Sequence, residues 1–345
     1  MNLSVPNIAF VACNRNPQRF AEDPSFIYRC ENLAAALSAR GCQVWLGHIS
    51  RFPWHQRFDR VVFHRPRSTW RFRWLFRWLR ARGIETIAEF DDLVFDPGLA
   101  GYSPAVVNGL APLSRIEGEF AANRAALQGF QRVSVSTEPL REAVSGVCSD
   151  ADIRVLPNAV HWRWLDLPPA PVEKERKVIG YFPGTRSHDR DFALVAKPLA
   201  RFLDSHPEVE LRIVGPLQFS LPVRAAQLSH EGKRPFHRFH ECFRDISVNI
   251  APLEQTPFTR CKSALKVVEG GFWSVPTVCS PLPDAARFAD RGDCLVAEAE
   301  DFDAALERVL SADAGIAFAH LRERVLAQSN IHEVAGQWLE WTGLA

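Results

Sequence analysis

Short apolar runs alternate with segments of helical periodicity through the first half of the chain. The run at 7–13 (NIAFVAC) predicts a buried strand, and the segment after it carries Ile27, Leu33, Ala34 and Leu37 at the spacing of one helix face. The elements predicted for this half are strands at 7–13, 43–47, 60–63, 85–90 and 132–136 and helices at 26–40 and 70–82. Strands that alternate with helices are typical of a parallel sheet with helices on both faces.

The same alternation restarts in the second half. The segment 166–176 (DLPPAPVEKER) is rich in proline and charge, which is typical of a linker. Beyond it, the pattern predicts strands at 177–182, 210–214, 246–251 and 277–280 and helices at 192–205, 265–272 and 302–310. The predicted fold class is therefore α/β, with two doubly wound, Rossmann-like domains in tandem.

These patterns set the expected domain boundaries. We predict an N-terminal domain at 1–165, the linker at 166–176 and a C-terminal domain at 177–316. The last predicted helix, at about 317–341 within the segment 317–345, precedes no strand, so we expect it to cross back to the N-terminal domain. Doubly wound sheets bind ligands at the carboxyl ends of their strands, where the strand order reverses. Two such domains facing across a cleft would form a site for two ligands, although architecture alone does not specify the chemistry.

Composition and charge narrow the functional classes. Of the 345 residues, 47% are hydrophobic and 23% charged, as in ordinary globular proteins. The formal net charge of +1 argues against a nucleic-acid partner. No two cysteines have CxxC spacing, the first residues lack the pattern of a signal peptide, and no apolar run reaches the roughly 18 residues of a membrane-spanning helix. We therefore expect a cytoplasmic protein with free, mostly buried thiols.

The segment 258–280 (FTRCKSALKVVEGGFWSVPTVCS) carries the most specific chemistry. In a helix beginning at Lys262, the side chains of Lys262, Lys266 and Glu269 would share one face, and Ser263 would lie in the first turn. Ammonium groups, a hydroxyl and a helix N-terminus suit a phosphate, and a carboxylate two turns later suits a ribose diol. The same spacing is also typical of a solvated polar face, so both interpretations stay open. The absence of GxGxxG, GxxxxGK[ST] and GxSxG argues against dehydrogenases, P-loop NTPases and α/β-hydrolases.

This segment resembles the donor-sugar segment of the GT-B glycosyltransferases, in particular the family-4-like group (glycosyl transferases group 1). Lys262 with Ser263, Glu269, and Val275 with Pro276 occur in that family's order before a short strand. Shorter matches follow the chain over nearly its whole length: Tyr28 with Arg29, Ser136 with Thr137, 155–159 (VLPNA), 179–182 (IGYF), Gly184 with Thr185, 212–215 (RIVG) and 250–253 (IAPL). The resemblance implies two Rossmann-like domains and transfer of a sugar from a nucleotide-sugar donor.

The resemblance also implies roles for particular residues. It assigns Glu269 to the nucleotide ribose and the following residues to the phosphates: Lys262, Ser263, Lys266, Gly184, Thr185 and Arg186. Many retaining members carry a second Glu eight positions before the ribose Glu, and this sequence has Cys261 there. The resemblance therefore does not imply whether the configuration at the anomeric carbon is retained.

Acidic residues at the end of the strand 85–90 are the candidates for proton transfer. Asp91 and Asp92 lie where a ligand site is expected, and one of them could deprotonate an acceptor hydroxyl. The alternative is that either aspartate caps a turn or a helix. In the second domain, His188 could hydrogen-bond the sugar or the leaving phosphate.

Two further features have an ordinary structural alternative. Asp189 and Asp191 have the DxD spacing of metal-using transferases, but we favour helix capping before Phe192. We therefore predict neither a metal nor a cofactor other than the nucleotide-sugar co-substrate, because lysines and helix ends can neutralise a leaving diphosphate. Arg29 would contact the donor or the acceptor, or else form a surface ion pair.

The helix predicted at 70–82 combines aromatic and basic side chains. Its apolar arc is wider than the stripe that a core-facing helix needs, and tryptophan beside arginine is typical of an interfacial membrane helix. The residues predicted to contact a membrane surface are Trp70, Trp74, Trp78, Arg73, Arg77 and Arg80. In the alternative interpretation, the apolar residues pack in the core and the tryptophans pack on neighbouring loops.

These inferences combine in one functional prediction. We predict a glycosyltransferase that moves a sugar from a nucleotide-sugar donor to a glycan or lipid-linked glycan in bacterial-type polysaccharide or lipopolysaccharide assembly. We expect it in the cytoplasm, or peripherally at the inner face of the cytoplasmic membrane. The alternatives are a non-catalytic nucleotide- or sugar-binding partner of the same fold and a sugar-nucleotide epimerase.

Overall fold

The computed structural model describes residues 5–168, 176–311, 318 and 320–345. Within these residues the strands are β1 (Asn7–Ala12), β2 (Gln43–His48), β3 (Arg60–His64), β4 (Glu85–Phe90), β5 (Arg132–Val135), β6 (Asp152–Val155), β7 (Val178–Tyr181), β8 (Glu210–Val214), β9 (Leu228–Glu231), β10 (Val248–Ala251), β11 (Thr277–Cys279) and β12 (Leu295–Val296). Most of the predicted linker, at 169–175, lies outside the described residues, as do 312–317 and 319, which include the start of the last predicted helix.

Helices connect most of these strands. They are α1 (Pro24–Phe26), α2 (Asn32–Ala39), α3 (Trp70–Ala81), α4 (Pro104–Val107), α5 (Leu113–Leu127), α6 (Glu138–Ser145), α7 (Trp162–Leu165), α8 (Asp189–Ser205), α9 (Leu265–Phe272), α10 (Pro283–Ala289), α11 (Phe302–Leu310), α12 (Leu321–Gln328) and α13 (Ile331–Thr342). A wider π-helical turn at Ile27–Glu31 joins α1 to α2. Short 3₁₀ turns lie at Phe20–Glu22, Ile49–Arg51, Pro97–Tyr102, Arg186–His188, Ala225–Gln227, Phe236–Phe243, Thr259–Cys261 and Ala299–Asp301. No helix in the described part of the chain is long and apolar enough to span a lipid bilayer.

The chain forms two compact units. The first contains the described parts of Met1–Gly101, Pro112–Leu165 and Ser329–Ala345, and the second contains those of Tyr102–Ala111 and Asp166–Gln328. The units differ from the expected boundaries in two helices: α4 and α12 both belong to the second unit, although α4 lies within the first half of the sequence and α12 within the segment expected to cross back.

Each unit has its own parallel sheet. Among the described residues, the strand order is β2–β1–β3–β4–β5–β6 in the first unit and β12–β11–β10–β7–β8–β9 in the second. The order reverses between β1 and β3 and between β7 and β10, which are the places where doubly wound sheets bind ligands. The predicted α/β class with two doubly wound domains is confirmed.

In the first unit, helices cover both faces of the sheet because successive side chains of a strand point to opposite faces. Val62 of β3 packs with α2 and with Trp338 of α13 in one buried cluster. The next residue, Phe63, packs on the other face against Phe72 of α3, with ring centroids 5.4 Å apart, and against Phe130.

In the second unit, α8 and α11 cover one face of the sheet and α9 the other. Phe192 and Leu306 lie in the buried cluster of the first face. On the other face α9 approaches its neighbours closely, because a Cβ atom on Gly270 would lie 2.8 Å from Oγ1 of Thr277 and one on Gly271 would lie 2.5 Å from a methyl group of Val325.

The last predicted helix is wrong as a single element. It consists of α12 and α13, and between them the side chain of Asn330 accepts a hydrogen bond from the His332 N–H and so starts α13 anew. The helix α12 packs on α9 in the second unit, whereas α13 packs on α2 in the first.

Candidate functional site

A group of polar side chains lies in the second unit at the strand-order reversal between β7 and β10. The ammonium of Lys266, in the first turn of α9, donates to the carbonyl oxygen of Phe182, which directly follows β7, at 2.5 Å. The carboxylate of Asp191, in the first turn of α8, accepts from Nδ1 of His188 and from the backbone N–H of Glu254, both at 2.9 Å. We call these residues, together with Lys262, the β7–β10 cluster.

Desolvation disfavours the charged forms of Lys266 and His188 in the β7–β10 cluster. Burial lowers the pKa of Lys266 from its usual value, although the negative charges of Glu269 and Asp191 oppose the shift. Burial also lowers the pKa of His188, and the charges of Lys266 and Lys262 lower it further against the effect of Asp191. An anion bound here would favour the charged forms of Lys266 and His188, so the cluster is chemically suited to a phosphate.

The structure corrects the expected start of the lysine helix. The helix α9 begins at Leu265, and Lys262 has an extended backbone after the turn Thr259–Cys261. Lys262 and Ser263 therefore approach the N-terminus of α9 from the preceding segment rather than from its first turn. The ammonium of Lys262 lies 5.1 Å from the ring centroid of Phe258, and the buried Cys261 lies in the same turn.

Glu269 lies one turn after Lys266 in α9 and is 7% exposed. Its charge acts on the ammonium of Lys266, so these two side chains share the face that the sequence predicted. Of the predicted helix face, Lys266 and Glu269 therefore lie together on α9, whereas Lys262 approaches from the segment before the helix.

The loop after β7 carries the other predicted phosphate contacts. Gly184 has open space where a side chain would be, and the hydroxyl groups of Thr185 and Ser187 share a hydrogen bond. Gly215, after β8, has a φ of 140°, and a Cβ atom there would lie 2.0 Å from the carbonyl oxygen of Pro183. A glycine is thus required for the close approach of these two loops.

The guanidinium of Arg186 lies at the edge of an open cavity of about 470 Å³. It donates to the side chain of Gln218 and lies 3.5 Å from the carboxylate of Asp189. The other residues that line the cavity are Gly215, Pro216, Leu217, His230, Glu231 and Gly232. Arg186 is therefore positioned by the loop that follows β8.

The expected helix caps at Asp189 and Asp191 are wrong. The helix α8 begins at Asp189, three residues before the expected start, and no side chain caps it. Asp189 accepts from the backbone N–H of Gln218 at 2.9 Å, so the two aspartates bind different partners within the unit. Among the described residues, no three His, Cys, Asp or Glu side chains are arranged as a metal site.

A second group of polar side chains lies in the first unit at the ends of β3 and β4. The carboxylate of Asp91 accepts from Nε of Arg65 at 2.7 Å and from the hydroxyl of Ser25 at 2.6 Å. The same hydroxyl lies 2.8 Å from Nε2 of His64. We call Ser25, His64, Arg65 and Asp91 the β3–β4 cluster.

Asp91 is held as a carboxylate. Burial opposes its charge, but Arg65 and His64 outweigh burial and hold the pKa of Asp91 well below its usual range. The backbone of Arg65 has a φ of 44°, an uncommon conformation for a residue other than glycine, and its N–H donates to the carbonyl oxygen of Glu89 at 2.8 Å. Asp92 follows with its carboxylate 3.7 Å from Nη2 of Arg65 and accepts from the Leu93 N–H at 3.2 Å.

The surface ion pair expected as the alternative role of Arg29 is wrong, because the pair that it forms is buried. Its side chain is 5% exposed and forms a buried ion pair, with Nε donating to Oε1 of Glu89 at 2.7 Å. Nη1 donates to the Leu156 carbonyl at 2.7 Å and to the Asn158 side chain at 3.1 Å. Arg29 therefore joins the end of β4 to the segment after β6, and its contact with a donor or an acceptor stays a prediction.

Sequence reasoning missed three members of the β3–β4 cluster: Ser25, His64 and Arg65. A usable signal was present, because His64 ends β3 and Arg65 follows it, and residues at the carboxyl ends of parallel strands meet at one edge of a sheet. Ser25 lies at the start of α1, where the carboxylate of Asp23 accepts from its N–H at 3.0 Å.

Replacing Asp91 with asparagine should lower stability at neutral pH and much less in acid. A carboxyl group whose pKa is lowered by folding contributes stability above its unfolded pKa of about 4, and this contribution is lost as the pH falls through the folded pKa. We expect a loss of about 1–3 kcal/mol at neutral pH. Urea titrations at several pH values measure the difference, and the exposed Asp150, substituted in the same way, is the control. A difference that does not shrink below about pH 4 would contradict this account.

No protein-family model matches the chain, and no curated protein matches its sequence significantly. Solved structures match its fold. HepE of Anabaena, in complex with UDP-glucose, has a TM-score of 0.64 at 10% identity, covering 97% of this chain and 98% of HepE. WaaG, described as a glycosyltransferase involved in lipopolysaccharide biosynthesis, has a TM-score of 0.60 at 14% identity, covering 96% and 98%. TarM has a TM-score of 0.58 at 12% identity over 82% of this chain and 54% of TarM, so the chain spans about half of that protein.

These similarities show that the chain has the GT-B fold of glycosyltransferases. The fold implied by the sequence resemblance is confirmed. At identities of 10–14%, the fold is what these structures share with the chain.

Proposed function

We propose that this chain is a glycosyltransferase that moves a sugar from a nucleotide-sugar donor to a glycan or lipid-linked glycan acceptor. The observation that carries the proposal is the β7–β10 cluster. At the strand-order reversal of the second unit, Lys266 and His188 are half-buried, and desolvation disfavours their charged forms and lowers the pKa of each. A nucleoside diphosphate leaving group would supply the negative charge that this cluster lacks.

The second unit supplies the groups that would bind the donor. In the proposal, Lys266 and Lys262 neutralise the diphosphate and Glu269 binds the ribose, with no metal ion. Nδ1 of His188 donates to Asp191, so Nε2 is the atom that would form a hydrogen bond with the nucleotide-sugar donor. The loop residues Gly184, Thr185, Ser263 and Arg186 complete the proposed phosphate site.

The first unit supplies the groups that would act on the acceptor. The oxygens of Asp91 are bonded to Arg65 and Ser25 and its pKa is well below the usual range, which makes it a weak base. We therefore assign proton acceptance to Asp92 and electrostatic positioning to Asp91. The acceptor oxygen would attack the anomeric carbon, the bond from that carbon to the diphosphate would break, and the hydroxyl proton would pass to Asp92.

We place the reaction in the assembly of a bacterial-type polysaccharide or lipopolysaccharide. One neighbour in fold, WaaG, is described as acting in lipopolysaccharide biosynthesis, which supports this setting. Cys261 stands where many retaining enzymes of the resembled group carry a glutamate, so the proposal leaves the stereochemistry open.

A panel of nucleoside diphosphates tests the donor site. The matching diphosphate should raise the melting temperature of the wild-type protein, because a ligand that binds the folded state stabilises it by mass action. Glu269→Gln should weaken binding about tenfold, since a charged hydrogen bond contributes roughly 1.5–3 kcal/mol. Glu307→Gln, at an exposed acid of the same unit, is the control and should bind like the wild type.

The matching nucleotide sugar then tests catalysis. We expect slow release of the nucleoside diphosphate in the absence of an acceptor, and slower release from the Glu269→Gln variant. Binding without release or transfer would instead identify a non-catalytic partner. Interconversion of the free nucleotide sugar would identify an epimerase, and the absence of any stabilising diphosphate would contradict the donor site itself.

A further inference from the structure

Three exposed tryptophan side chains lie next to one another on the first unit. Trp70 and Trp74 of α3 are 67% and 59% exposed, and Trp54, between β2 and β3, is 39% exposed. The ring centroids of Trp54 and Trp74 are 4.6 Å apart, and Trp70 lies one helical turn before Trp74. We call these three side chains the tryptophan ridge.

The tryptophan ridge rests on a packed aromatic base. The ring of Trp54 lies 5.1 Å from that of Trp78 and 5.5 Å from that of the buried Phe52. Trp78 is only half-exposed, and the guanidinium of Arg82 lies 3.9 Å from its ring centroid. The exposed surface therefore includes Trp54 rather than Trp78, which the sequence analysis had predicted to contact a membrane. The rings of the ridge are thus held in position before any partner binds, which reduces the entropic cost of binding.

The ridge is not needed to cover the core. The buried side of α3 is already complete, with Phe72, Leu75, Phe76 and Leu79 all packed inside. At 100° per residue, Trp70 and Trp74 lie on the opposite, outward arc. Large indole groups that face outward without covering a core indicate a binding surface.

Arginines surround the ridge without acidic partners. No acidic side chain among the described residues lies within ion-pair distance of the arginines of α3 and its C-terminal cap: Arg71, Arg73, Arg77, Arg80 and Arg82. The arginines nearby in sequence are paired with acids: Arg60 with Glu85, Arg65 with Asp91 and Arg67 with Glu119. Because these arginines lack acidic partners, they form a local positive field that favours an anionic partner, although the net charge of the whole protein is near zero.

We propose that this face of the first unit docks on the surface of an anionic lipid bilayer. The indole rings of Trp54, Trp70 and Trp74 enter the headgroup region, where tryptophan is most stable, and Arg73 and Arg77 contact lipid phosphates between them. A bilayer fits better than an acidic protein or a nucleic acid, because the outward arc mixes bulky apolar rings with cations and the chain carries no overall basic excess. The proposal does not depend on the proposed glycosyl transfer, because it concerns binding alone.

Flotation with large unilamellar vesicles tests the proposal on the full chain. We expect the wild-type protein to float with vesicles that contain phosphatidylglycerol and to float far less with phosphatidylcholine vesicles. High salt should weaken the binding, since it screens the arginines. A wild-type protein that stays in the soluble fraction with phosphatidylglycerol vesicles would overturn the proposal.

Two variants separate the roles of charge and of indole. Arg73→Gln combined with Arg77→Gln should weaken partitioning about 30-fold, at roughly fivefold for each charge near an anionic surface. Changing the tryptophan ridge to glutamine should weaken it at least about tenfold, because interfacial binding scales with the apolar area buried. The arginine variant changes only exposed side chains, so its melting temperature should stay near that of the wild type, and the melting temperature of the ridge variant, which also changes the packed Trp54, is measured beside it.

The matched control is Trp162→Gln combined with Arg163→Gln. This pair also places an arginine over a half-exposed tryptophan, at 5.3 Å, but Arg163 is paired with Glu31 at 3.1 Å and the pair lies outside the ridge. The control should float like the wild type. If the ridge variant floats as well as the control, or if the arginine variant loses binding to a DNA duplex or to polyglutamate but not to vesicles, the lipid surface is the wrong partner.

Discussion

Substituting Arg29 with methionine is expected to lower the free energy of unfolding of the first unit by about 3–5 kcal/mol, because a buried carboxylate then loses its counter-charge. The Arg29 and Glu89 side chains are 5% and 4% exposed. The other carboxylate oxygen of Glu89 accepts from the hydroxyl of Ser134, which cannot neutralise it. The substitution also leaves the Leu156 carbonyl without the guanidinium that it accepts from.

Urea denaturation followed by circular dichroism measures this loss. Arg163→Met is the matched control, since Arg163 is exposed and its ion pair with Glu31 is worth at most about 1 kcal/mol. Adding Glu89→Gln to the Arg29→Met variant should restore part of the stability, because removing both charges of a buried pair costs less than removing one. If the single variant is as stable as the control, Arg29 does not have the structural role described above.

The contacts of Arg29 could not be predicted from the sequence. Local pattern placed it correctly near the start of the first helix, but its partners Glu89 and Asn158 are far away in sequence. Nothing in the spacing of charged residues distinguishes a buried ion pair of this kind from an exposed one. The ion pair of Arg29 with Glu89 is identified only from the folded structure, in which the ends of β4 and β6 lie at the same edge of the sheet.

The strands were more predictable than the helix ends. The strands predicted at 85–90 and 210–214 match β4 and β8 at their observed bounds, because their apolar residues fit buried strands between helical segments. The start of α9 was set instead by a local hydrogen-bond network, in which the hydroxyl of Thr259 bonds to the side chain of Thr256 and to the carbonyl of Glu254. This network closes a turn before Lys262, and helix periodicity carries no information about it.

The candidate site was predictable to the extent that its residues follow predicted strands. Asp91 directly follows β4, and the ammonium of Lys266, on α9, reaches the carbonyl of Phe182 at the carboxyl end of β7. The contacts that set their chemistry were not predictable, because Arg65 and Phe182 reach them through conformations that only the folded chain shows. The sequence thus placed these residues near strand ends, and the structure gives the contacts that shift their pKa values.

Replacing Lys266 with methionine should lower the rate of nucleotide release and sugar transfer by about 100- to 1,000-fold, the usual effect of removing one group that stabilises charge in a transition state. In the proposed reaction the negative charge on the leaving diphosphate grows as the bond to the sugar breaks. The ammonium of Lys266 is fixed at the end of β7 by the Phe182 carbonyl, so it can stabilise that charge without first reorganising.

The same substitution should leave the fold intact, which separates loss of chemistry from loss of structure. Burial lowers the pKa of Lys266, so its charged form costs stability below that pKa, and the cost disappears as the pH rises through it. The methionine variant lacks this cost and should be at least as stable as the wild type at neutral pH. Its stability should also gain less than that of the wild type as the pH is raised toward 10, near the unfolded pKa of lysine of about 10.4.

Lys197→Met is the control for Lys266→Met, because Lys197 is an exposed lysine of the same unit, on α8. It should keep the melting temperature and the rate of the wild type. Lys266→Arg should recover only part of the rate, since a guanidinium keeps the charge but not the compact geometry of an ammonium. A methionine variant that is stable and releases nucleotide at the wild-type rate would exclude Lys266 from the reaction. Leaving-group stabilisation would then have to come from Lys262, which approaches the same helix N-terminus from the preceding turn.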